Sequence, residues 1–452
     1  MMSDPQPAFR PETAILALGD GFYDAVQAAD FPETRLRFRN DRWAARVGLG
    51  DLDDDAWVRH FGRFAPLPGS LPQPLALRYH GHQFRVYNPD IGDGRGFLFA
   101  QLRDDAGRLL DLGTKGSGQT PYSRFGDGRL TLKGGVREIL ATEMLEALGV
   151  ETSKTFSLIE TGEALDRGDE PSPTRSAVLV RLSHGHIRIG SFQRLAYFKD
   201  SDGLAKLVAY ALCHYYDDES GDPLTLLDHV IGRTATLAGQ YMAAGFVHGV
   251  LNSDNINVAG ESFDYGPWRF APSWQADFTA AYFDHAGLYA FGRQGEAIHW
   301  DVMQLAVSLR ALVEAEPMIA LLDSFADRYQ AAVTRAMLWR LGVKPGADDG
   351  ALVQAIERGL NATQVPLAEF FHASFCGHIP DALGADFAEA RALLARYAPR
   401  KGRDSAFWAG PPCAMLIDEV EAIWAPIAER DDWRPLHAKV EHIRAMGAAL
   451  AD

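Results

Sequence analysis

Gly245-Phe-Val-His248-Gly-Val-Leu-Asn-Ser-Asp254-Asn255, followed nine residues on by Asp264-Tyr265-Gly266, is the stretch on which the reading of this chain turns. Asn255 and Asp264 offer an amide and a carboxylate oxygen. These are hard donors of the kind Mg²⁺ takes in ones and twos, beside phosphate oxygens and water. Asp254 is the loop carboxylate placed to accept a proton from an attacking hydroxyl. A plain Asn-Ser-Asp-Asn turn accounts for the loop but not for the Asp-Tyr-Gly that follows it.

The spacing is that of a protein-kinase metal site with one part replaced. Kinases carry H-R-D-x-x-x-x-N and then D-F-G, where the loop Asp is the catalytic base and the Asn and second Asp hold Mg²⁺. Counting from His248, the metal-holding Asn falls at Asn255, but the base position is Val250. The ion ligands remain and the usual base for attack on a γ-phosphate is gone. This argues for nucleotide chemistry other than ordinary phosphorylation.

Working outward, 452 residues can bury a large core and predict two lobes or domains. Hydrophobic residues make up 47% and charged ones 23%, ordinary for a soluble globular chain. A formal net charge of −16 argues against a general nucleic-acid or anionic-membrane surface, although a nucleotide needs only a few local cations. Cys213, Cys376 and Cys413 lie far apart without a C-x-x-C, against zinc and a disulfide framework and in keeping with a reducing, cytoplasmic setting. The N-terminus has no basic start followed by an apolar core, so no secretory signal is expected. No apolar run approaches the ~18 residues needed to span a bilayer.

Residues 1–55 are mixed and end in the acidic run Asp51 to Asp55, read as a solvated loop. Residues 56–200 are rich in Gly and Arg. They carry β-like runs at Gly96–Leu102 and Ser176–Leu182, with a helix over Val136–Leu148 between them and Gly149 as its C-cap. Thr161 to Thr174 reads as a surface loop. From Leu204 the pattern turns helical: 204–216, 224–244, 298–341, then segments near 350–360, 382–396 and 414–450. Asp200-Ser-Asp-Gly203 marks the boundary. The expected architecture is α+β and two-lobed like a protein kinase, with lobes at 56–200 and 201–345 and a helical extension over 346–452.

Gly92-Asp-Gly94-Arg95-Gly96 precedes a β-like run. Its glycines allow backbone N–H groups close to phosphate oxygens, though such a turn is more often a hairpin. Gly113-Thr-Lys115-Gly-Ser-Gly118 is not a Walker A loop, but Lys115 follows a strand where a kinase-like lobe places its phosphate-binding Lys. Glu138, 23 residues on, is a candidate partner for that ammonium, with Glu143 and Glu146 competing. Arg181 and Arg188 flank Ser183-His-Gly-His-Ile; by default they are surface arginines, yet two guanidiniums on one strand pair suit a triphosphate. His80-x-His82 and His184-x-His186 put two imidazoles on one side of a strand, a metal-ligand arrangement for which no third ligand follows at a clean spacing.

The chain resembles the selenoprotein O (SelO, or YdiU) family. The resemblance rests on Tyr79-His-Gly-His-Gln-Phe84, Gly92-Asp-Gly-Arg-Gly96, Leu112-Gly-Thr-Lys-Gly-Ser-Gly-Gln-Thr-Pro-Tyr-Ser-Arg124, Gly126-Asp-Gly-Arg129, Val136-Arg-Glu-Ile-Leu140, His186-Ile-Arg-Ile-Gly190 and the opening stretch, in order over residues 75–310. It implies a protein-kinase-like fold binding ATP in a flipped orientation, and transfer of AMP to Ser, Thr or Tyr hydroxyls of proteins with release of pyrophosphate. Carried over, Gly92, Gly94, Arg95, Lys115, Asp127, Gly128, Arg181 and Arg188 bind nucleotide, and Glu138 pairs with Lys115. Asn255 and Asp264 hold Mg²⁺ or Mn²⁺, and Asp254 accepts the proton. Three departures stand out: Gly134-Gly135 replaces a Ser-Ser pair, an Asn-Pro-x-x-x-x-Arg-Asn segment is missing from a divergent tail that contains Trp408, Trp424 and Trp433, and there is no C-terminal redox Cys. Transfer of UMP from UTP, a catalytically silent nucleotide-binding scaffold, and a His-x-His metallohydrolase are the rival readings.

Overall fold

Alternating apolar side chains on short strands, each covered on both faces, generate the sheet at the centre of this protein. The computed structural model describes residues 7–168 and 170–451. Its strands are β1 (Arg10–Glu12), β2 (Tyr23–Ala25), β3 (Arg35–Arg39), β4 (Leu75–Leu77), β5 (Gly81–Gln83), β6 (Val86–Asn88), β7 (Leu98–Arg103), β8 (Leu109–Lys115), β9 (Leu130–Thr131), β10 (Lys154–Leu165), β11 (Thr174–Ser183), β12 (Phe246–Val247) and β13 (Arg269–Phe270). Among the described residues, nine of them form one antiparallel sheet in the order β2-β4-β7-β8-β11-β10-β3, with β1 on β7 and β9 on β11. Val178 and Val180 point into a layer containing Trp57, Phe61, Phe97, Phe99 and Phe156. Ala177 and Leu179 point the other way, into the core shared with the helices. Burial on both faces is why β11 reads as a continuous apolar run.

The fold is thus mixed α/β. Residues before 55 supply β1, β2 and β3, so the N-terminal stretch is integral to the sheet. The acidic run is exposed, but Asp53 caps the helix Asp54–Phe61 by accepting from Ala56 N at 2.7 Å. The loop expected over Thr161–Thr174 is shorter, because β10 runs on to Leu165 and β11 begins at Thr174, with a register shift between Glu160 and Ala164.

The helix after β9 runs from Leu132 to Ala147, capped by the Thr131 hydroxyl. It is buried nearly all round rather than on one face: Val136, Ile139 and Leu140 pack on the sheet side, and Gly447 of the C-terminal helix meets Ala147 behind. A Cβ on Gly135 would lie 2.3 Å from Leu158 Cδ1 of β10, so the glycine allows close helix–sheet approach.

Asp200 N-caps the helix Ser201–Tyr216, which is followed by Pro223–Ala244. The single helix expected over 298–341 is three, Gln294–Leu309, Ala315–Asp323 and Phe325–Leu341, broken at Arg310–Glu314 and at Ser324. The later helices Asp349–Thr363, Leu367–Ser374 and Ala388–Leu394 pack with Phe325–Leu341 in a second core. The last two, Ile417–Arg430 and Arg434–Leu450, fold back onto Leu132–Ala147, where Arg444 pairs with Glu143 at 2.6 Å and Lys133 with Glu421 at 2.8 Å. No helix among the described residues is long and apolar enough to cross a membrane.

Candidate functional site

A cleft of about 760 Å³ is lined by Gly92, Gly94, Arg95, Lys115, Asp127, Gly128, Arg181, Val250, Asp254, Asn255 and Asp264. Residues separated by as many as 172 positions in the chain, Gly92 and Asp264, therefore meet at one surface. Glu138 and Arg188, 3% and 1% exposed, stand behind its wall.

Register places the first two cations. Leu179 of β11 lies opposite Lys115 of β8, and Arg181 lies opposite Gly113, so Lys115 and Arg181 share a face as diagonal neighbours. Gly113 is required there, because a Cβ would lie 2.2 Å from His186 Nε2. Arg181 Nε donates to that same nitrogen at 3.1 Å, and Asp111 lies 3.3 Å from His186 Nδ1. Burial, together with the neighbouring arginines, depresses the His186 pKa despite Asp111, which suits its role as an acceptor.

Lys115 Nζ donates to Glu138 Oε1 and, at 3.0 Å, to the carbonyl of Tyr265. The three competing glutamates are thereby sorted. Glu143 pairs with Arg444 and Glu146 with Arg42, while Glu138 alone of the three takes the ammonium. Burial pushes the Lys115 pKa down, and the Glu138 charge opposes this.

The loop itself is bracketed by the β12–β13 pair. His248 Nε2 bonds the carbonyl of Phe263 at 2.9 Å, and Gln294 accepts from His248 N at 3.1 Å. Ser253–Asn255 forms one 3₁₀ turn. Asn255 Nδ2 donates to Val250 O at 2.8 Å, which leaves its Oδ1 as the acceptor of that amide. Asp264 occupies the left-handed region at φ 59°, uncommon for a non-glycine residue.

The structure adds a pairing that the separate readings of Asp264, Arg181 and Arg188 did not contain. Asp264 Oδ1 accepts from Arg181 Nη1, and its Oδ2 accepts from Arg188 Nη1 at 3.1 Å. Arg188 also donates to Asp254 O at 3.0 Å and lies near Asp93 at 3.5 Å. Burial alone would raise the Asp264 pKa, but Arg181, Arg188 and Lys115 outweigh it and hold the carboxyl far below the usual range. Asp254 goes the other way: burial and the Asp264 charge push it up to about 6, against Arg188. Its Oδ1 is buried without a hydrogen-bond partner among the described residues. Asn255 and Asp264 offer the hard oxygens that Mg²⁺ or Mn²⁺ takes, but both Asp264 oxygens are held by arginines here, and no group of three or more His, Cys, Asp or Glu among the described residues is arranged to hold a metal ion.

Several contacts here carry no signal in the sequence. Arg188 lies between the rings of Tyr79, at 4.1 Å, and Phe263, at 4.9 Å, which shield its charge. The hairpin β5–β6 rests on the loop: His82 N donates to Ser253 Oγ at 2.7 Å and Phe84 N to Asn252 Oδ1 at 3.0 Å. Gly81 abuts Asp254, since a Cβ there would lie 2.8 Å from Asp254 Cβ. The His80-x-His82 pair expected on a strand enters one arm of this hairpin.

The remaining candidates sit less centrally. Arg95 is exposed at the cleft edge, and a Cβ on Gly96 would meet the Thr114 carbonyl at 2.0 Å. Asp127 accepts from Arg129 N at 2.9 Å and pairs with Arg167, while Gly128, at φ 70°, turns the chain against Gly118. The His-x-His pairs are absorbed in packing. His80 bonds Tyr87 OH at 2.8 Å, His82 bonds Gln193 at 2.7 Å, and His184 stacks edge-on against Tyr215. Cys213, Cys376 and Cys413 are all free thiols.

A family model described as "Protein adenylyltransferase SelO" matches residues 7–376. Proteins named "Protein nucleotidyltransferase YdiU" are similar over nearly the full length. That of Synechocystis sp. is 41% identical over 98% of this chain and 100% of its own. That of Synechococcus elongatus is 44% identical over 98% and 96%, and that of Gloeobacter violaceus 45% over 96% and 94%. These alignments run through most of the helices after residue 376, so the tail is not an addition peculiar to this chain.

Proposed function

We propose, from the premise that this chain belongs to the SelO family of protein adenylyltransferases, that it transfers AMP from ATP to Ser, Thr or Tyr hydroxyls of other proteins. Membership makes it a nucleotidyltransferase with ATP and protein as the substrates its family name implies. The observation that carries the finer reading is one juxtaposition: Arg181 and Arg188 grip Asp264 and Lys115 holds the neighbouring Tyr265 carbonyl, while Val250 occupies the place of the phosphorylating base. A deep cationic wall suits a γ-phosphate that stays bound and leaves, rather than one presented to an acceptor.

In this reading the sheet with its loops (56–200) and the helical half (201–345) act as two kinase-like lobes, with the helices of 346–452 bracing them. ATP lies flipped, its β- and γ-phosphates against Lys115, Arg181 and Arg188, with Gly92, Gly94, Arg95, Asp127 and Gly128 around the rest. Asn255 and Asp264 would hold Mg²⁺ or Mn²⁺, whose charge supplies electrostatic stabilisation to the phosphates. Phosphate oxygens take over the guanidinium bonds that Asp264 makes here, freeing its carboxylate. The acceptor hydroxyl oxygen forms a bond to the α-phosphorus, the bond from that phosphorus to the β-phosphate oxygen breaks, and the hydroxyl proton passes to Asp254. A carboxyl with its pKa near 6 is mostly ionised at neutral pH and still basic enough to take that proton. The free cysteines suit a reducing, cytoplasmic setting.

The test uses purified protein, Mg²⁺ or Mn²⁺, a protein lysate, and ATP labelled at the α- or the γ-phosphate, beside Asp264→Ala. Label entering protein from the α position only, and lost in the variant, supports AMP transfer. Label from γ only makes the protein a kinase. ATP binding with no incorporation from either makes it a scaffold, and preference for α-labelled UTP would move the assignment to uridylylation.

A further inference from the structure

Away from the cleft, where the tail meets the helical half, one buried cation has no acidic partner. Arg340, in the last turn of Phe325–Leu341, is 7% exposed, and no carboxylate among the described residues pairs with it. Its Nη1 donates to Ala243 O at 2.7 Å, at the C-terminal end of Pro223–Ala244, and its guanidinium lies 4.0 Å over the Phe371 ring. The opposite edge, Nε and Nη2, makes no hydrogen bond among the described residues, and Nε is wholly buried. That edge presents two parallel N–H bonds. Burial without compensation lowers the Arg340 pKa to about 9.

The guanidinium borders a cavity of about 20 Å³ walled by Phe371, His372, Phe407, Trp408, Cys413 and Met446. Trp408, 9% exposed, brings Nε1–H into the same walls, and that donor also has no partner among the described residues. Trp408 belongs to the tail and stacks on Phe375 at 4.1 Å between ring centroids. The cavity therefore gathers a fixed positive charge and donors in apolar surroundings, from both sides of the junction. A guest the size of one water needs ~10–15 Å³ by this measure, so the cavity has room for one small species, and His372 Nε2 in the same walls is also buried without a partner among the described residues.

We propose that Arg340 and Trp408 form a binding site for a small monovalent anion, of the size of chloride or formate, which neutralises the buried guanidinium and seats the tail on the helical half. Neither the adenylyltransferase reading nor the cleft enters this inference. An unpaired charge in an apolar cavity is costly, and an anion accepting from Nε, Nη2 and Trp408 Nε1 removes that cost.

The full chain is melted in sodium chloride, bromide, formate or gluconate at one ionic strength, gluconate being too large for the cavity. Chloride, bromide or formate should raise Tm saturably by about 2–4 °C over gluconate. The rise should vanish in Arg340→Met, and Trp408→Phe should weaken the apparent affinity several-fold while keeping the packing. A bromide-soaked crystal should show anomalous density at the Nε/Nη2 edge; this decides the matter if Arg340→Met does not fold. Equal melting in all four salts with no bromide at that edge, or the same anion response in Arg340→Met, overturns the proposal and leaves Arg340 as a helix-end cap with a water beside it.

Discussion

In the cleft, Arg181 and Arg188 share the carboxylate of Asp264, and Lys115 has Glu138; beneath the tail, Arg340 has a backbone carbonyl, a phenyl face and an unpaired edge. Both regions bury cations in strongly desolvated surroundings. In the first, the fold itself supplies the counter-charge, so the cations are held in place before any nucleotide arrives. Exchanging a carboxylate for phosphate oxygens then costs little reorganisation, which is the basis of electrostatic preorganisation. In the second, no carboxylate among the described residues neutralises the charge. The paired cations stand at the cleft, and the one with an unpaired edge stands beneath the tail.

That contrast breaks first at Lys115. Lys115→Met removes the cation that links the sheet to the Asp-Tyr-Gly backbone, and AMP incorporation measured with α-labelled ATP should fall roughly 10³-fold. Next comes the base. Gly81→Ala places a methyl 2.8 Å from Asp254 Cβ, and kcat should drop about 10–100-fold while ATP affinity by calorimetry holds within a few-fold. An unchanged kcat would detach Asp254 from proton transfer.

The three glutamates of one helix sharpen the comparison further. Glu138→Gln should cost about tenfold or more in turnover. Glu143→Gln, on the tail side, should leave turnover within about twofold and lower Tm by roughly 2 °C, because it leaves Arg444 unpaired at the tail contact. If Glu143→Gln cut turnover as Glu138→Gln does, the tail would belong to the machinery.

The smallest effect concerns pH. At the sheet edge Arg175 and Arg37 reach Asp431 of the tail at 2.7 and 3.0 Å, and Arg37 lies over Trp433. Burial would raise the Asp431 pKa, yet Arg175, Trp433 and Arg37 bring it down to about 2. A depressed carboxyl pKa contributes stability that is complete above the unfolded value near 4 and lost as pH falls towards 2. Asp431 is half exposed, so Asp431→Asn should lower Tm by only about 1 °C at pH 7, and that gap should close below pH 4.

Much of the cleft was legible because motif residues sit at short fixed spacings. Asn255 at +7 from His248, Val250 at +2 and Asp264 beyond them need only counting. Glu138 was not separable from Glu143 and Glu146, since all three lie on one helix and only its packing decides which faces Lys115. The helix expected over Val136–Leu148 begins earlier, at Leu132, and it is buried nearly all round because the tail covers its far side. The 298–341 run read as one helix because its apolar periodicity continues through breaks made by a turn at Arg310–Glu314 and a tight junction at Ser324.

By itself, the sequence determined the family and the residue types of the loop, Val250, Asn255 and Asp264 among them, because those depend on residue type at fixed short range. Only the tertiary structure decided that Arg181 and Arg188 both grip Asp264, that Tyr79 and Phe263 enclose Arg188, that Gly81 abuts Asp254, and that Arg340 is left with a free edge. Each of those depends on strand register, helix packing or desolvation across tens to hundreds of residues, and a charge's partner at that range is set by the fold and not by spacing.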